Sequence, residues 1–111
     1  MKYMIAVVLI LTSFSSLSAQ NKSILVPSDS KASYIVLETG KQSGMRTIVT
    51  ERTGPSGTSY SKRIYDCKNK KVKYLGDGET LADMKKSTPD ASMYDIVPGS
   101  IADYIGIEAC K

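Results

Sequence analysis

The chain contains no histidine and no tryptophan. The absence of histidine excludes several classes of catalytic and metal-binding site. A Ser-His-Asp or Cys-His triad needs histidine, and so do the common ligand sets of catalytic zinc. The acidic residues are scattered. The pattern nearest to a calcium loop, Asp77-Gly78-Glu79 with Asp83, lacks the EF-hand spacing and is interpreted as a solvated turn. We therefore predict a protein that is not an enzyme and that holds no metal and no cofactor.

Long apolar runs are absent except at the N-terminus. There Lys2 precedes the apolar residues 4–11, and mostly small and polar residues fill positions 12–19. This layout is typical of a secretory signal peptide, here cleaved after Ser18 or Ala19. The run is short for a hydrocarbon core about 30 Å thick, although a membrane anchor or a buried core helix is the alternative. No cysteine follows that could accept a lipid, so we predict a periplasmic or secreted protein without a membrane span.

Strong charge of either sign is also absent. Removal of the signal peptide leaves about 92 residues, which is one small domain, and such a domain is marginally stable without crosslinks. The whole chain has 15 Lys and Arg against 11 Asp and Glu, and Lys2 would leave with the signal peptide. This mildly basic charge is far from that of nucleic-acid-binding proteins. We predict no nucleic acid partner, and a protein or anionic ligand of the envelope or of a host.

Cysteine is scarce as well, since Cys67 and Cys110 are the only two and no C-x-x-C motif is present. An exported protein meets an oxidising compartment, and two cysteines allow one intramolecular disulfide. In the chain-entropy model, a crosslink over a loop of this length contributes about 4 kcal/mol. The alternative is a pair of free thiols or a redox couple.

Alternation of β-branched and polar residues predicts a small antiparallel sheet of four to five strands. The strands are expected over residues 33–38, 45–52, 59–67, 70–76 and, as a short fifth one, 93–97. Residues 53–58 hold two glycines and a proline and are expected to form a hairpin loop that is mobile and exposed. Residues 20–32 are polar and indicate a flexible N-terminal segment, with a short apolar stretch at residues 24–26 that suits a first strand.

One clear helix is expected at the C-terminal end, over residues 100–110. Ser100 is a suitable N-cap, and Asp103 completes a pair similar to a capping box. Ile101, Tyr104 and Ile105 follow the helical spacing and form a stripe that faces the core.

A shorter helix is expected over residues 79–86, with Leu81 and Met84 facing inward. In the C-terminal helix, Gly106 is expected to lower helix stability by about 1 kcal/mol. The predicted fold is therefore an α+β domain, in which a small antiparallel sheet carries the C-terminal helix across one face and one disulfide adds stability.

The most pronounced charge feature is a group of six cations on two neighbouring strands and the turn between them. The six are Lys62, Arg63, Lys68, Lys70, Lys71 and Lys73. Such a group is often a solvated strand face that discourages edge-to-edge pairing. The functional interpretation is a binding face for an anionic partner, centred on Lys71 and Lys73 because these alternate with Val72 and Tyr74.

Several short motifs resemble the surface-adhesin protein E family of small exported bacterial domains. They are Tyr60-Ser61, Ile64-Tyr65-Asp66-Cys67, Lys73-Tyr74-Leu75 and Ile96-Val97-Pro98-Gly99-Ser100, followed by Cys110-Lys111. The resemblance covers residues 59–111. It implies an antiparallel sheet packed on a C-terminal helix and a disulfide between Cys67 and Cys110. The expected organisation is a signal peptide (1–19), a flexible segment (20–32) and an adhesin-E-like domain (33–111).

The resemblance also implies a function, namely an exported, non-enzymatic binding protein of the bacterial envelope that binds a protein or an anionic ligand. The alternative is a periplasmic inhibitor or immunity protein that blocks a specific toxin or hydrolase. Small size, export, one disulfide and the lack of catalytic residues suit both functions. The sequence leaves the oligomeric state open.

Overall fold

A six-stranded antiparallel sheet forms the centre of the fold in a computed structural model, which describes the backbone of residues 18–111 and the side chains of residues 21–111. The strands lie in the sheet in chain order. The elements are β1 (Ser18–Ile24), a 3-10 turn (Pro27–Asp29), β2 (Ser33–Gln42), β3 (Met45–Gly54), β4 (Gly57–Asp66), β5 (Lys71–Gly78), α1 (Leu81–Lys86), β6 (Tyr94–Asp95) and α2 (Ile101–Ala109). The fold is therefore mostly β, with two short helices and one disulfide.

The predicted antiparallel arrangement is confirmed. The described residues form six strands, whereas four to five were expected. The additional strand is β1, in which Lys22 and Ile24 pair with Val36 and Tyr34 of β2. Part of the segment predicted to be flexible is thus a strand, because its apolar end adds to the hydrophobic core. The predicted signal peptide lies outside the described residues except for positions 18 and 19, whose backbones pair with β2.

Tight turns connect the three long strands β2, β3 and β4. Ser43 and Gly44, with φ of 52° and 78°, connect β2 to β3, and two positive φ values fit the type I′ turn of two-residue hairpins. At the next turn, strand pairing continues until Gly54 lies opposite Gly57. The hairpin predicted here is confirmed, but its loop is shorter than the expected residues 53–58, because only residues 55 and 56 lie outside the strands.

The sheet has two differently covered faces. On the inner face, as we call the one covered by α2, the core joins side chains of β2 to β5 to the helix. Its buried members are Val26, Tyr34, Val36, Ile48, Tyr65, Val72, Ile105 and Ala109. On the opposite, outer face, Thr47, Val49 and Ile64 are buried. The division follows from the strand geometry, in which successive side chains point to opposite faces.

Helix α2 begins as predicted and approaches the sheet closely. Ser100 Oγ accepts a hydrogen bond from the Asp103 N–H at 3.1 Å, and Asp103 Oδ2 accepts one from the Gly99 N–H at 2.8 Å. In the middle of the helix, Gly106 faces the buried Tyr65 ring, and a Cβ at Gly106 would lie 2.6 Å from Tyr65 Cε1. Gly106 therefore permits the helix to pack against Tyr65.

Helix α1 packs on the outer face beside β5. Met84 is 5% exposed, as expected, whereas Leu81 is 41% exposed, so its predicted inward orientation is wrong. A helix of six residues offers few inward positions, and Met84 takes the one that faces Gly76 of β5. A Cβ at Gly76 would clash with the Met84 carbonyl oxygen. The sequence predicted a helix across one face of the sheet, and in the structure each face carries a helix.

Candidate functional site

The six cations identified from the sequence do not form one surface. Arg63 lies opposite Ile48 on the inner face and is only 5% exposed. Lys62 lies on the outer face opposite Val49, and Lys73 lies there opposite Ile64. Arg63 is therefore not part of an exposed binding face with the lysines, because it and Lys62 are successive residues of one strand.

The other five cations lie on the outer face of β4 and β5 and on the turn that connects them, and we call them the lysine surface. They are Lys62, Lys68, Lys70, Lys71 and Lys73. Lys71 Nζ pairs with Asp95 Oδ1 at 2.8 Å, and this ammonium group lowers the pKa of Asp95. Within residues 21–111, the other four lysines have no carboxylate oxygen within 4 Å. The lysine surface therefore carries net positive charge, since its five lysines outnumber its two carboxylates, Asp95 and Asp66.

The turn inside the lysine surface is ordered by an acidic residue. Asp66 accepts hydrogen bonds from the side chain of Asn69 at 2.8 Å and from its backbone N–H at 3.1 Å. These hydrogen bonds lower the pKa of Asp66, so it stays ionised. Lys70, in the same turn, has a positive φ of 53°. The turn thus has a defined conformation, and its two lysines are exposed to solvent.

The disulfide predicted between Cys67 and Cys110 is confirmed. Its S–S distance is 2.02 Å and its Cα–Cα distance is 5.8 Å. The bond connects the residue after β4 to the residue after α2, and neither cysteine of the described part is free. It therefore fixes the end of α2 to the sheet and is a crosslink rather than a reactive site.

A depression of about 370 Å³ lies on the inner face beside the first turn of α2, and we call it the arginine pocket. Its lining comes from β2 to β5, the residues after β5 and the start of α2. The lining residues are Tyr34, Arg52, Ser59, Ser61, Arg63, Tyr74, Asp77, Gly78, Glu79 and Ile101. The arginine pocket thus combines guanidinium groups, hydroxyls and carboxylates, whereas lysines predominate in the lysine surface.

Arg63 is held at the arginine pocket by its neighbours on β3 and β5. Its Nη2 donates to the Tyr74 hydroxyl at 2.8 Å, and its Nη1 donates to Thr50 Oγ1 at 3.3 Å. Its Cζ lies 4.6 Å from the centroid of the Tyr74 ring, a distance at which a cation–π interaction is favourable. The buried Nε–H has no acceptor among the described residues. These contacts fix the orientation of the guanidinium group without neutralising its charge.

The second guanidinium of the arginine pocket is neutralised. Arg52 Nε donates to Asp29 Oδ2 at 2.7 Å, and the Tyr34 hydroxyl donates to the same oxygen at 2.8 Å. Because Arg52 favours the ionised carboxylate, the pKa of Asp29 is lowered. Burial, followed by the hydrogen bond to Asp29, raises the pKa of Tyr34 to about 12. Asp29 therefore compensates the charge of Arg52, and Tyr34 stays protonated.

An apolar groove of about 320 Å³ lies beside the disulfide, between α2 and the segment that precedes it. Ile96, Pro98 and Ile107 line this groove, and Ile107 is exposed.

In residues 21–111, no three histidine, cysteine or acidic side chains gather where they could hold a metal ion. No helix in this part of the chain is long and apolar enough to cross a membrane.

Searches against models of protein families, against curated proteins and against solved structures found no match to this chain. The resemblance to surface-adhesin E domains therefore stays a prediction from the residues.

The arginine pocket was missed from the sequence, although one signal for its central residue was present. Arg63 lies two positions before Tyr65, so strand alternation places both side chains on the inner face. Its partner across β4 and β5, Tyr74, follows from the register of the two strands. No pattern along the sequence indicated that Asp29 would pair with Arg52, because that contact depends on the 3-10 turn reaching β3.

Proposed function

We propose that the protein is an exported, non-enzymatic binding protein of the bacterial envelope, with a role similar to that of surface-adhesin E domains. In this proposal the lysine surface binds a protein or another ligand with negative charge. The observation that carries the proposal is the imbalance of charge, since only Lys71 of the five lysines has a carboxylate partner within the described residues.

The surroundings of these lysines support a binding role. Lys62 and Lys73 project from paired strands, and Lys68 follows directly after the disulfide. A group of like charges on a rigid frame attracts an oppositely charged partner and accelerates association. The apolar N-terminal run and the disulfide support export, because disulfides persist in oxidising compartments.

Binding by a double charge-reversal variant tests the proposal. Mature protein would be used to isolate partners from envelope and host-matrix fractions, and the dissociation constant of an identified partner would be measured at several salt concentrations. We expect Lys68→Glu with Lys73→Glu to weaken binding by about tenfold or more, which corresponds to about 1.4 kcal/mol. Higher salt should weaken the wild-type interaction as well.

A matched control variant has the same net charge change elsewhere. Lys31→Glu with Lys41→Glu alters two exposed lysines outside the lysine surface, and it should bind within about twofold of the wild type. Equal losses in the two variants, or no partner in any fraction, would contradict the proposal. A partner that proves to be an exported toxin or hydrolase, inactivated by the protein, would identify an inhibitor instead.

A further inference from the structure

The buried guanidinium of Arg63 lacks a counter-ion in the described part of the chain. No carboxylate oxygen of residues 21–111 lies within 4 Å of it. A guanidinium group carries five N–H donors, and only two of them have protein acceptors, the Tyr74 hydroxyl and Thr50 Oγ1. A buried charge without a partner is unfavourable, so an anion in the arginine pocket would supply an interaction that the fold leaves open.

The opposite end of the arginine pocket carries negative charge. Asp77 and Glu79 line it, both are exposed, and neither carboxylate forms an ion pair within the described residues. Ser61 lies directly opposite Asp77 across β4 and β5, and its hydroxyl also faces the arginine pocket. A ligand there would meet the Arg63 cation, the two carboxylates and the Ser61 hydroxyl.

The register of the strands sets the distance between these two ends. Arg63 pairs with Tyr74, and Ser61 pairs with Asp77, so Arg63 and Asp77 are diagonal neighbours on the inner face. Diagonal neighbours lie about 7–8 Å apart, and their Cβ atoms are somewhat closer. An extended dipeptide spans about 7 Å between its termini, a length similar to the spacing of these two strand positions.

We propose that the arginine pocket binds a short zwitterionic peptide of two or three residues. The peptide carboxylate meets the remaining N–H donors on Nη1 and Nη2 of Arg63, since Nε is fully buried, and the peptide ammonium meets Asp77 and Glu79. The volume of about 370 Å³ lies at the lower end of the range of small-ligand sites. This site is independent of the lysine surface, because the two lie on opposite faces of the sheet.

Three related dipeptides separate the two charge interactions. The mature protein, labelled with nitrogen-15, would be titrated with L-alanyl-L-alanine, with its N-acetyl derivative, and with its C-terminal amide. We expect the zwitterion to shift the amide signals of residues around the arginine pocket and to bind about tenfold or more tightly than either derivative, because each derivative loses one charge-assisted contact. No shift with any dipeptide at millimolar concentration, or equal binding of all three, would overturn the proposal.

Substitutions then assign the two ends. Arg63→Met preserves much of the buried volume and should abolish binding of L-alanyl-L-alanine. Asp77→Asn should weaken it severalfold and leave binding of the N-acetyl derivative, which has no ammonium group, unchanged. The control is Glu51→Gln, which removes a carboxylate from the outer face and should bind like the wild type. If Arg63→Met does not fold, the exposed Asp77→Asn variant still decides the question.

A water-mediated ion pair between Arg63 and Asp77 is the competing explanation of the same arrangement. In that case Asp77→Asn would lower the melting temperature of the ligand-free protein, and the dipeptide would not change the melting temperature of the wild type. Under our proposal the dipeptide raises the melting temperature in proportion to the logarithm of its concentration above saturation, and Arg63→Met removes this rise. Absence of the rise in the wild type would overturn the proposal.

Discussion

The inner and outer faces of the sheet each carry a helix, but the two helices are held in different ways. On the inner face, α2 has nine residues, a capped N-terminus and a disulfide at its end. On the outer face, α1 has six residues and one buried side chain, Met84. Each contact depends on a glycine, Gly106 in the helix on the inner face and Gly76 in the strand on the outer face. Close packing therefore has a different origin on each face.

The same difference appears in the positive charges. Lys62 and Arg63 are neighbours in sequence, yet one is on the outer face and the other is buried beneath the inner surface. An arginine tolerates this position because its planar group can stack on Tyr74 and donate to Thr50. The lysines keep their ammonium groups near solvent, as amphipathic side chains usually do. Two cations that are neighbours in sequence thus lie in different environments, one on the outer face and one buried.

The largest expected effect comes from removing the crosslink on the inner face. The double variant Cys67→Ser with Cys110→Ser should lose about 4 kcal/mol of unfolding free energy, because the denatured chain regains the entropy of an open loop. Urea denaturation of oxidised wild type and double variant measures this loss. Amide exchange should increase more in α2 than in α1, and the reverse order would contradict the idea that the disulfide holds α2.

A smaller effect is expected where α2 approaches the sheet. Gly106→Ala improves helix propensity by about 1 kcal/mol, but the new methyl group would overlap the buried Tyr65 ring. We expect a net destabilisation of about 1–3 kcal/mol, the usual cost of overpacking, measured by thermal and urea unfolding. In the double variant with Tyr65→Leu, the additional cost of Gly106→Ala should disappear.

Gly76→Ala is the matched substitution on the outer face. It should displace α1 and raise amide exchange there, while the exchange of α2 stays unchanged. If the Gly106→Ala variant were as stable as the wild type, this result would contradict the close contact between α2 and Tyr65.

The smallest expected effect is on the pH dependence of stability, to which one acidic residue on each face of the sheet contributes. The pKa values of Asp29 and Asp95 lie below their ordinary value of 3.8, because Arg52 and Lys71 favour the ionised forms. A carboxyl group with a lowered pKa stabilises the fold above its unfolded-state pKa, and this stabilisation is lost as the pH falls through its folded-state pKa. Stability should therefore decrease below about pH 4, and Asp29→Asn should make this decrease less steep.

The matched variant Asp95→Asn should change the acid dependence less. The side chain of Asp95 is 85% exposed and has one partner, whereas that of Asp29 is 18% exposed and binds both Arg52 and Tyr34. Urea denaturation between pH 6 and pH 2 compares the two variants. An equal change in both would mean that burial on the inner face adds nothing to the Asp29 interaction.

Some features of the fold followed from local signals. The alternation of Val72 and Tyr74 with lysines fixed which side of β5 faces the core, and Ser100 with Asp103 marked the start of α2. A first strand was suggested only by the short apolar stretch at residues 24–26, whereas β1 spans Ser18–Ile24, because the polar residues of β1 give a weak pattern and depend on β2 for their hydrogen bonds. The hairpin loop expected over residues 53–58 is only two residues long, because Gly54 and Gly57 continue the strand pairing.

Local features of this protein can be derived from its residues alone, namely strand alternation, the helix cap, the single possible disulfide and the absence of histidine. These depend on neighbours within a few residues or on composition alone. Only the tertiary structure decided that Arg63 leaves the lysines and joins Tyr74, Ser61 and Asp77 at the arginine pocket. The physical reason is that strand register and a bulge between β4 and β5 bring together residues that are distant along the chain, and local sequence patterns do not encode that register.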